Sequence, residues 1–268
     1  PDCSDATINA MVTMAAMNAL EPLDRYVEAH AERASISDSF LASVRGMDPI
    51  EGRLLYMPIY AQATHIWYRK DLLKDAGVEP PQTIDEFYAA VENLTDAENG
   101  VYGWGFRGGA GNHYEGTVLI ANEAGITSYF DEEGNCNFGD ERGVEAMANY
   151  TGIYKNGFAP KSAVESAYMD LCNDFGNGVT CMFAHHLGSL AQLRTMLNDD
   201  QIGYLPLPLN RDGYRVTKLD PSGMCMYNTS EHKEETWKFI EFMSSAEASV
   251  QWLLGEGGIP ANEKALEI

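Results

Sequence analysis

Four short apolar runs constrain this chain most: HIWY at 65–68, VTCMF at 179–183, IGYLPL at 202–207 and MCMY at 224–227. Each is bounded by turn formers and set apart by longer stretches with helical spacing, so the pattern is that of an α/β fold with parallel or mixed sheets. Thr83 and Glu86 form a T-x-x-E capping box after Pro80 and Pro81, and Phe87, Val91 and Leu94 follow at helical spacing. Asp140 is expected to cap a second helix, with Val144, Met147 and Tyr154 as its apolar face and Gly157 as its stop. A third carries Tyr168, Leu171 and Phe175 and breaks at Gly176 and Gly178. A fourth is expected to begin at Ser230, with Trp237, Ile240 and Met243 on one face, and SAEASVQWLLGEGG supplies a fifth.

At 268 residues the chain exceeds the size at which one core is comfortable, which favours two lobes. Its 40 Asp and Glu against 18 Lys and Arg leave a net charge of −22 with no basic stripe, which sets nucleic acid aside as a partner. The acidity reads as a solvated surface. No apolar run reaches the length of a membrane span. The opening PDCSDATINAM carries neither a positive leader nor an apolar h-region, so an exported form is expected to have lost its leader. Five cysteines lie far apart without a CxxC, and burial as small hydrophobes is their expected fate, with at least one left free or paired between molecules.

Catalytic and cofactor signatures are sparse, and neither a cofactor nor a metal is expected. GWGFRG at 103–108 satisfies G-x-G-x-x-G, but turn formers precede it and GAGN follows, so it reads as a glycine-rich loop instead of a dinucleotide fingerprint. His185 and His186 are neighbours in a strand-like run and are expected to point to opposite faces, which argues against a shared metal. No G-x-S-x-G, H-E-x-x-H or P-loop pattern occurs. A pair of carboxylates facing each other across a cleft, as in a glycosidase, stays open because acidic residues are plentiful.

The segment LLYMPIYAQATHIWYRKDLLKDAGVEPPQTIDEF at 54–87 closely resembles the family 1 extracellular solute-binding proteins of ATP-binding cassette importers, a group with maltose- and other sugar-binding members. LEPLDRYV, FGNGVTCMF, IGYLPLP, HKEETWKFIEFMSS and GGIPANEKA follow in the family's order along the rest of the chain. The resemblance implies a two-lobed, type II periplasmic-binding-protein-like fold, each lobe a sheet flanked by helices, with a ligand cleft between. It divides the chain into a first lobe of 1–63 plus 220–258 and a second of 64–219 plus 259–268. Family members extend further at both ends, so the first lobe is expected to be incomplete. A monomeric, extracytoplasmic protein is implied, without enzymatic activity, that captures a carbohydrate and hands it to the membrane permease subunits.

The same resemblance nominates ligand contacts one by one. The run after Pro58 is a crossing between lobes in the family, and Gln62 falls where a polar side chain faces sugar. An amide both donates and accepts, which suits hydroxyls; the rival role is satisfying hinge backbone. Asn9 falls at a sugar-contacting position, with Asp5 ahead of it in the same loop, and a helix N-cap is the rival role for both. Tyr114 falls where an aromatic stacks on sugar, with Asn112 beside it, against a rival role in core packing. Arg107 is a further candidate from the glycine-rich loop. AHHLGSL at 184–190 puts His185 and His186 where the family offers an aromatic, which makes maltose itself doubtful. KLDPSGMCMY at 218–227 resembles a second crossing, where Asp220, Ser222 and Gly223 are expected at the ligand, while Trp252 is read as core. Two alternatives remain: a binding protein for a polyol, peptide or polyamine, and a secreted glycosidase or lyase.

Overall fold

The computed structural model describes residues 1–268 apart from Thr7, Pro49 and Ile50 and the side chains of Ala6, Ile8, Asn9, Asn112, His113 and Glu256. Its strands are β1 (Cys3–Ala6), β2 (Met57–Ala63), β3 (His65–Arg69), β4 (Tyr102–Gly105), β5 (Thr180–His185), β6 (Ile202–Pro206), β7 (Leu219–Met226) and β8 (Ile259–Pro260). The four apolar runs of the sequence are thus β3, β5, β6 and β7. The chain divides into two compact units, one of Pro1–Ala63 with Leu219–Ile268 and the other of Thr64–Lys218.

The first unit is built on a sheet of order β1-β7-β2-β8 with antiparallel neighbours. Its core packs Leu54, Tyr56, Met57, Met224 and Met226 against the helices Asp24–Glu28, Asp38–Arg45 and Lys233–Met243. Trp237 stacks on Tyr26 with ring centroids 5.2 Å apart. Residues 259–268, assigned by the sequence to the second lobe, belong here: β8 pairs with β2, and Asn262 donates to Glu32 at 2.7 Å and to the Ser244 carbonyl at 3.1 Å.

The second unit holds a mixed sheet of order β4-β5-β3-β6, in which β4 and β5 run parallel. Ile66 and its neighbour Trp67 enter different apolar clusters, so both faces of the sheet are covered and its strands read as unbroken apolar runs. The Thr83–Glu86 capping box forms as its sequence requires, with the Glu86 amide donating to Thr83 Oγ1 at 3.3 Å and the Thr83 amide to Glu86 Oε2 at 3.1 Å. Three of the five cysteines are buried, Cys3 is half-buried and Cys136 exposed, and all are free thiols.

Three local expectations are corrected. The helix Glu141–Lys155 is capped by Asp140, but it buries Gly143, Ala146, Tyr150 and Ile153, leaving Val144 and Met147 58% and 44% exposed. Its small residues decide the face: a Cβ at Gly143 would stand 2.6 Å from the Phe138 carbonyl oxygen, so this side approaches its neighbour more closely than a larger side chain allows. The fourth helix starts at Lys233, not Ser230, whose Oγ donates to Asp2 at 2.6 Å and accepts from the His232 amide at 3.1 Å in the turn ahead of it. Gly103 and Gly105 lie inside β4 and not in a loop, and a Cβ on Gly103 would fall 2.0 Å from the Val91 carbonyl oxygen.

That contact generates a test. Gly103→Ala is expected to destabilise the protein by roughly 2–3 kcal/mol through backbone displacement, whereas Gly139→Ala, with open space around it, stays within about 0.5 kcal/mol. Urea unfolding of the two variants checks this, and equal stabilities contradict it.

Candidate functional site

In the first unit the pairing of β2 with β7 assembles a polar face. Gln62 stands opposite Asp220 and Tyr60 opposite Ser222, while β1 sets Asp5 opposite Met224. Alternation along each strand puts these residues on one side of the sheet. The run after Pro58 is thus a paired strand that ends at Ala63, where the division between the two units falls, and Asp5 is a strand residue, not a loop residue. A register shift between Pro58 and Tyr60 inserts Ile59 and re-aims the strand at this point.

Asp5, Tyr60, Ser222, Gly223 and Trp252 line one small pocket together with Ile59 and Met224. Gly223 carries no side chain because β2 leaves no room: a Cβ there would lie 1.9 Å from the Met57 carbonyl oxygen. The Tyr56 hydroxyl donates to the Pro221 carbonyl at 3.1 Å and holds β7 from beneath. Gln62 Nε2 donates to the Gly257 carbonyl at 3.5 Å, a long bond, and its Oε1 is buried with no hydrogen-bond partner among the described residues.

Trp252, read from the sequence as core, is half-buried at this pocket with its ring 5.9 Å from that of Tyr60. Sequence reasoning missed both aromatics. Tyr60 carries a strand-alternation signal that would have placed it on the face of Gln62; for Trp252 helical spacing gives no signal that separates a pocket wall from a core face.

In the second unit Arg107 is engaged inside the protein. Its guanidinium donates to Glu115 at 3.1 and 3.3 Å and to the Ala110 carbonyl at 2.7 Å, filling the space beside Gly111, where a Cβ would lie 2.1 Å from it. His185 is buried in the same cluster, 3.4 Å from Glu115, 2.7 Å from Ser189 Oγ and stacked on Tyr168 with centroids 4.4 Å apart. Glu115 is buried on the first turn of the helix Asn112–Ala124, so this cluster anchors the turn that carries Tyr114. Tyr114 is half-buried, with Lys218 Nζ 5.0 Å above its ring. Lys218 also borders a largely apolar cavity of about 230 Å³ with Val118, Ile126 and Tyr129.

The two histidine rings do not diverge as a continuous strand requires: their centroids are 4.1 Å apart. β5 ends at His185, and the following turn brings the Gly188 amide to His186 Nδ1 at 3.1 Å, which folds the second ring back. No group of three or more His, Cys, Asp or Glu side chains suited to a metal occurs among the described residues. The expected contacts from Asn9 and Asn112 rest on side chains outside the described residues; their backbones begin the helices Ile8–Ala16 and Asn112–Ala124.

Burial, reinforced by the neighbouring His186 and the Arg107 guanidinium, holds the His185 pKa well below its usual 6.5. Glu115 opposes this, but it already faces the Arg107 cation, and the desolvated imidazole stays neutral.

The model of the bacterial extracellular solute-binding protein family matches residues 6–250. A Brucella abortus protein named as a candidate binding protein is 25% identical over 247 residues, 91% of this chain and 58% of its own length. The chain thus spans a little under three-fifths of such curated relatives. An importer solute-binding protein of Thermotoga lettingae, solved with α-D-tagatose, superposes with a TM-score of 0.84 at 21% identity, covering 100% of this chain and 69% of that one. A Mycobacterium tuberculosis protein solved with glycerophosphocholine superposes equally well, at 0.84 and 20% identity, over 100% of this chain and 66% of that one. No helix among the described residues is long and apolar enough to cross a membrane.

The neutral His185 generates a pH prediction. The unfolded imidazole takes up a proton below about 6.5 while the folded one does not, so stability is full above that pH and falls as pH drops. Between pH 6.5 and 5 this group accounts for up to about 2 kcal/mol of lost stability. His185→Asn is expected to flatten that part of the profile in urea titrations, and an unchanged slope contradicts it.

Proposed function

Because the chain belongs to the bacterial extracellular solute-binding protein family, we propose that it captures a carbohydrate or polyol outside the cytoplasmic membrane, as a monomer, and presents it to the permease subunits of an ATP-binding cassette importer, without chemical turnover. The observation that carries this reading is the polar face of the first unit, where Asp5, Gln62, Asp220 and Ser222 come to one side of a sheet next to Tyr60. Hydroxyl-rich solutes need such a mixture of donors, acceptors and a flat apolar surface. One aromatic contact contributes ~1 kcal/mol beyond its area and each neutral hydrogen bond ~1 kcal/mol net, so a handful of contacts approaches the ~8 kcal/mol of a micromolar complex. The tagatose complex of the Thermotoga lettingae protein supports the carbohydrate class.

One observation favours a second reading, capture of a cation: the Asp5 carboxylate shares its pocket with two aromatic rings. The glycerophosphocholine complex of the Mycobacterium tuberculosis protein is compatible with it.

A thermal-shift and calorimetry panel of sugars, polyols, polyamines and choline compounds decides between them. A sugar or polyol at about a hundred times its Kd is expected to stabilise the protein by roughly 2.7 kcal/mol. Gln62→Leu is expected to weaken that binding about tenfold, the loss of a buried hydrogen bond of ~1.4 kcal/mol. Exclusive binding of cations contradicts the first reading, and release of products from glycans contradicts binding without turnover.

A further inference from the structure

We infer that Trp252 touches the solute through its indole N–H, and that this donor, together with the Gln62 carbonyl oxygen, selects a solute by its hydroxyl groups and not by a charge. The inference rests on the solute-capture reading and deepens it. Trp252 Nε1 and Gln62 Oε1 are both buried, and neither has a hydrogen-bond partner among the described residues. Trp252 lines the pocket and Gln62 shares the strand face of its neighbour Tyr60, whereas Arg33 and Ser249, which also carry such atoms in this unit, belong neither to the pocket lining nor to the paired strands.

The two orphaned atoms belong to side chains gathered around one turn. Tyr60 and Gln62 share a face of β2, and Gly258, with φ +123°, brings the chain against both: a Cβ there would lie 3.0 Å from the Tyr60 ring and 3.6 Å from Gln62 Nε2. Trp252 sits on the helix that leads into this turn, its ring 5.9 Å from Tyr60, and it also borders a second hollow lined by Phe242 and Met243. The Tyr60 ring flanks the indole, whose N–H is a buried donor.

A desolvated donor and a desolvated acceptor left unmade each cost about 1–3 kcal/mol, so the preferred solute supplies both partners. A hydroxyl both donates and accepts. A quaternary ammonium does neither, a primary ammonium satisfies only Gln62, and a carboxylate satisfies only Trp252. The chemistry therefore points to a neutral polyhydroxylated solute, even though the fold itself accommodates either class.

Calorimetry of the full chain with α-D-tagatose, maltose, D-mannitol, choline and glycerophosphocholine tests this. Trp252→Phe keeps an aromatic ring and removes the N–H. It is expected to weaken binding of the best sugar or polyol about tenfold while shifting the melting temperature of the free protein by no more than a degree or two. If the wild type binds a sugar and Trp252→Phe binds it equally, the inference falls and solute capture stands. If choline binds more tightly than every hydroxylated compound, the hydroxyl selectivity falls and solute capture again stands. Binding of none of them removes both. Should Trp252→Phe fold poorly, the wild-type indole ¹H–¹⁵N resonances serve instead: saturating sugar is expected to move the Trp252 signal downfield and leave that of Trp237, stacked on Tyr26 in the core, in place. An unmoved Trp252 signal overturns the inference.

Discussion

The antiparallel ladder between β2 and β7 is the constraint on which the rest depends. It joins Met57–Ala63 to Leu219–Met226, so the whole of Thr64–Lys218 is an excursion that leaves the first unit after β2 and re-enters it at β7. Closing so long a loop costs conformational entropy that grows only slowly with length, which burial of Met57, Met224 and Met226 in one core offsets. The ladder tolerates no side chain at Gly223, and its bulge at Ile59 aims Tyr60 and Gln62. Fold and polar face are therefore set by the same pairing: a strand slip of one residue would send Gln62 and Ser222 to the opposite face of the sheet.

Much of the architecture was legible because its signals are local. β3 and β5 announce themselves as apolar runs since both faces of their sheet are covered, and the Thr83–Glu86 box marks its helix by chemistry confined to four residues. The strand β1 was not legible, because CSDA at the edge of a sheet has neither alternation nor a β-branched or aromatic residue. Val144 and Met147 misled because the helix carries a competing apolar face, Ala146, Tyr150 and Ile153, which is the one buried, with Gly143 allowing close approach on that side.

At the candidate site the sequence named residue types better than their environments. Gln62, Asp220, Ser222 and Asp5 share a face because of long-range register, which no local pattern encodes. Arg107 and His185 have a different place: with Glu115 they form a buried polar cluster beneath the turn bearing Tyr114. Such a cluster holds its helix start in one position, since breaking one member leaves charge in a low-dielectric setting. Trp252 escaped notice because a tryptophan with apolar neighbours on a helix looks the same in sequence whether its N–H meets protein or solute.

The most direct test of the account is a structure of the protein with a tightly bound sugar or polyol. The account predicts solute hydroxyl oxygens within hydrogen-bonding distance of both Gln62 Oε1 and Trp252 Nε1, with Tyr60 alongside. A solute seated elsewhere, with those two atoms left to water, would contradict it.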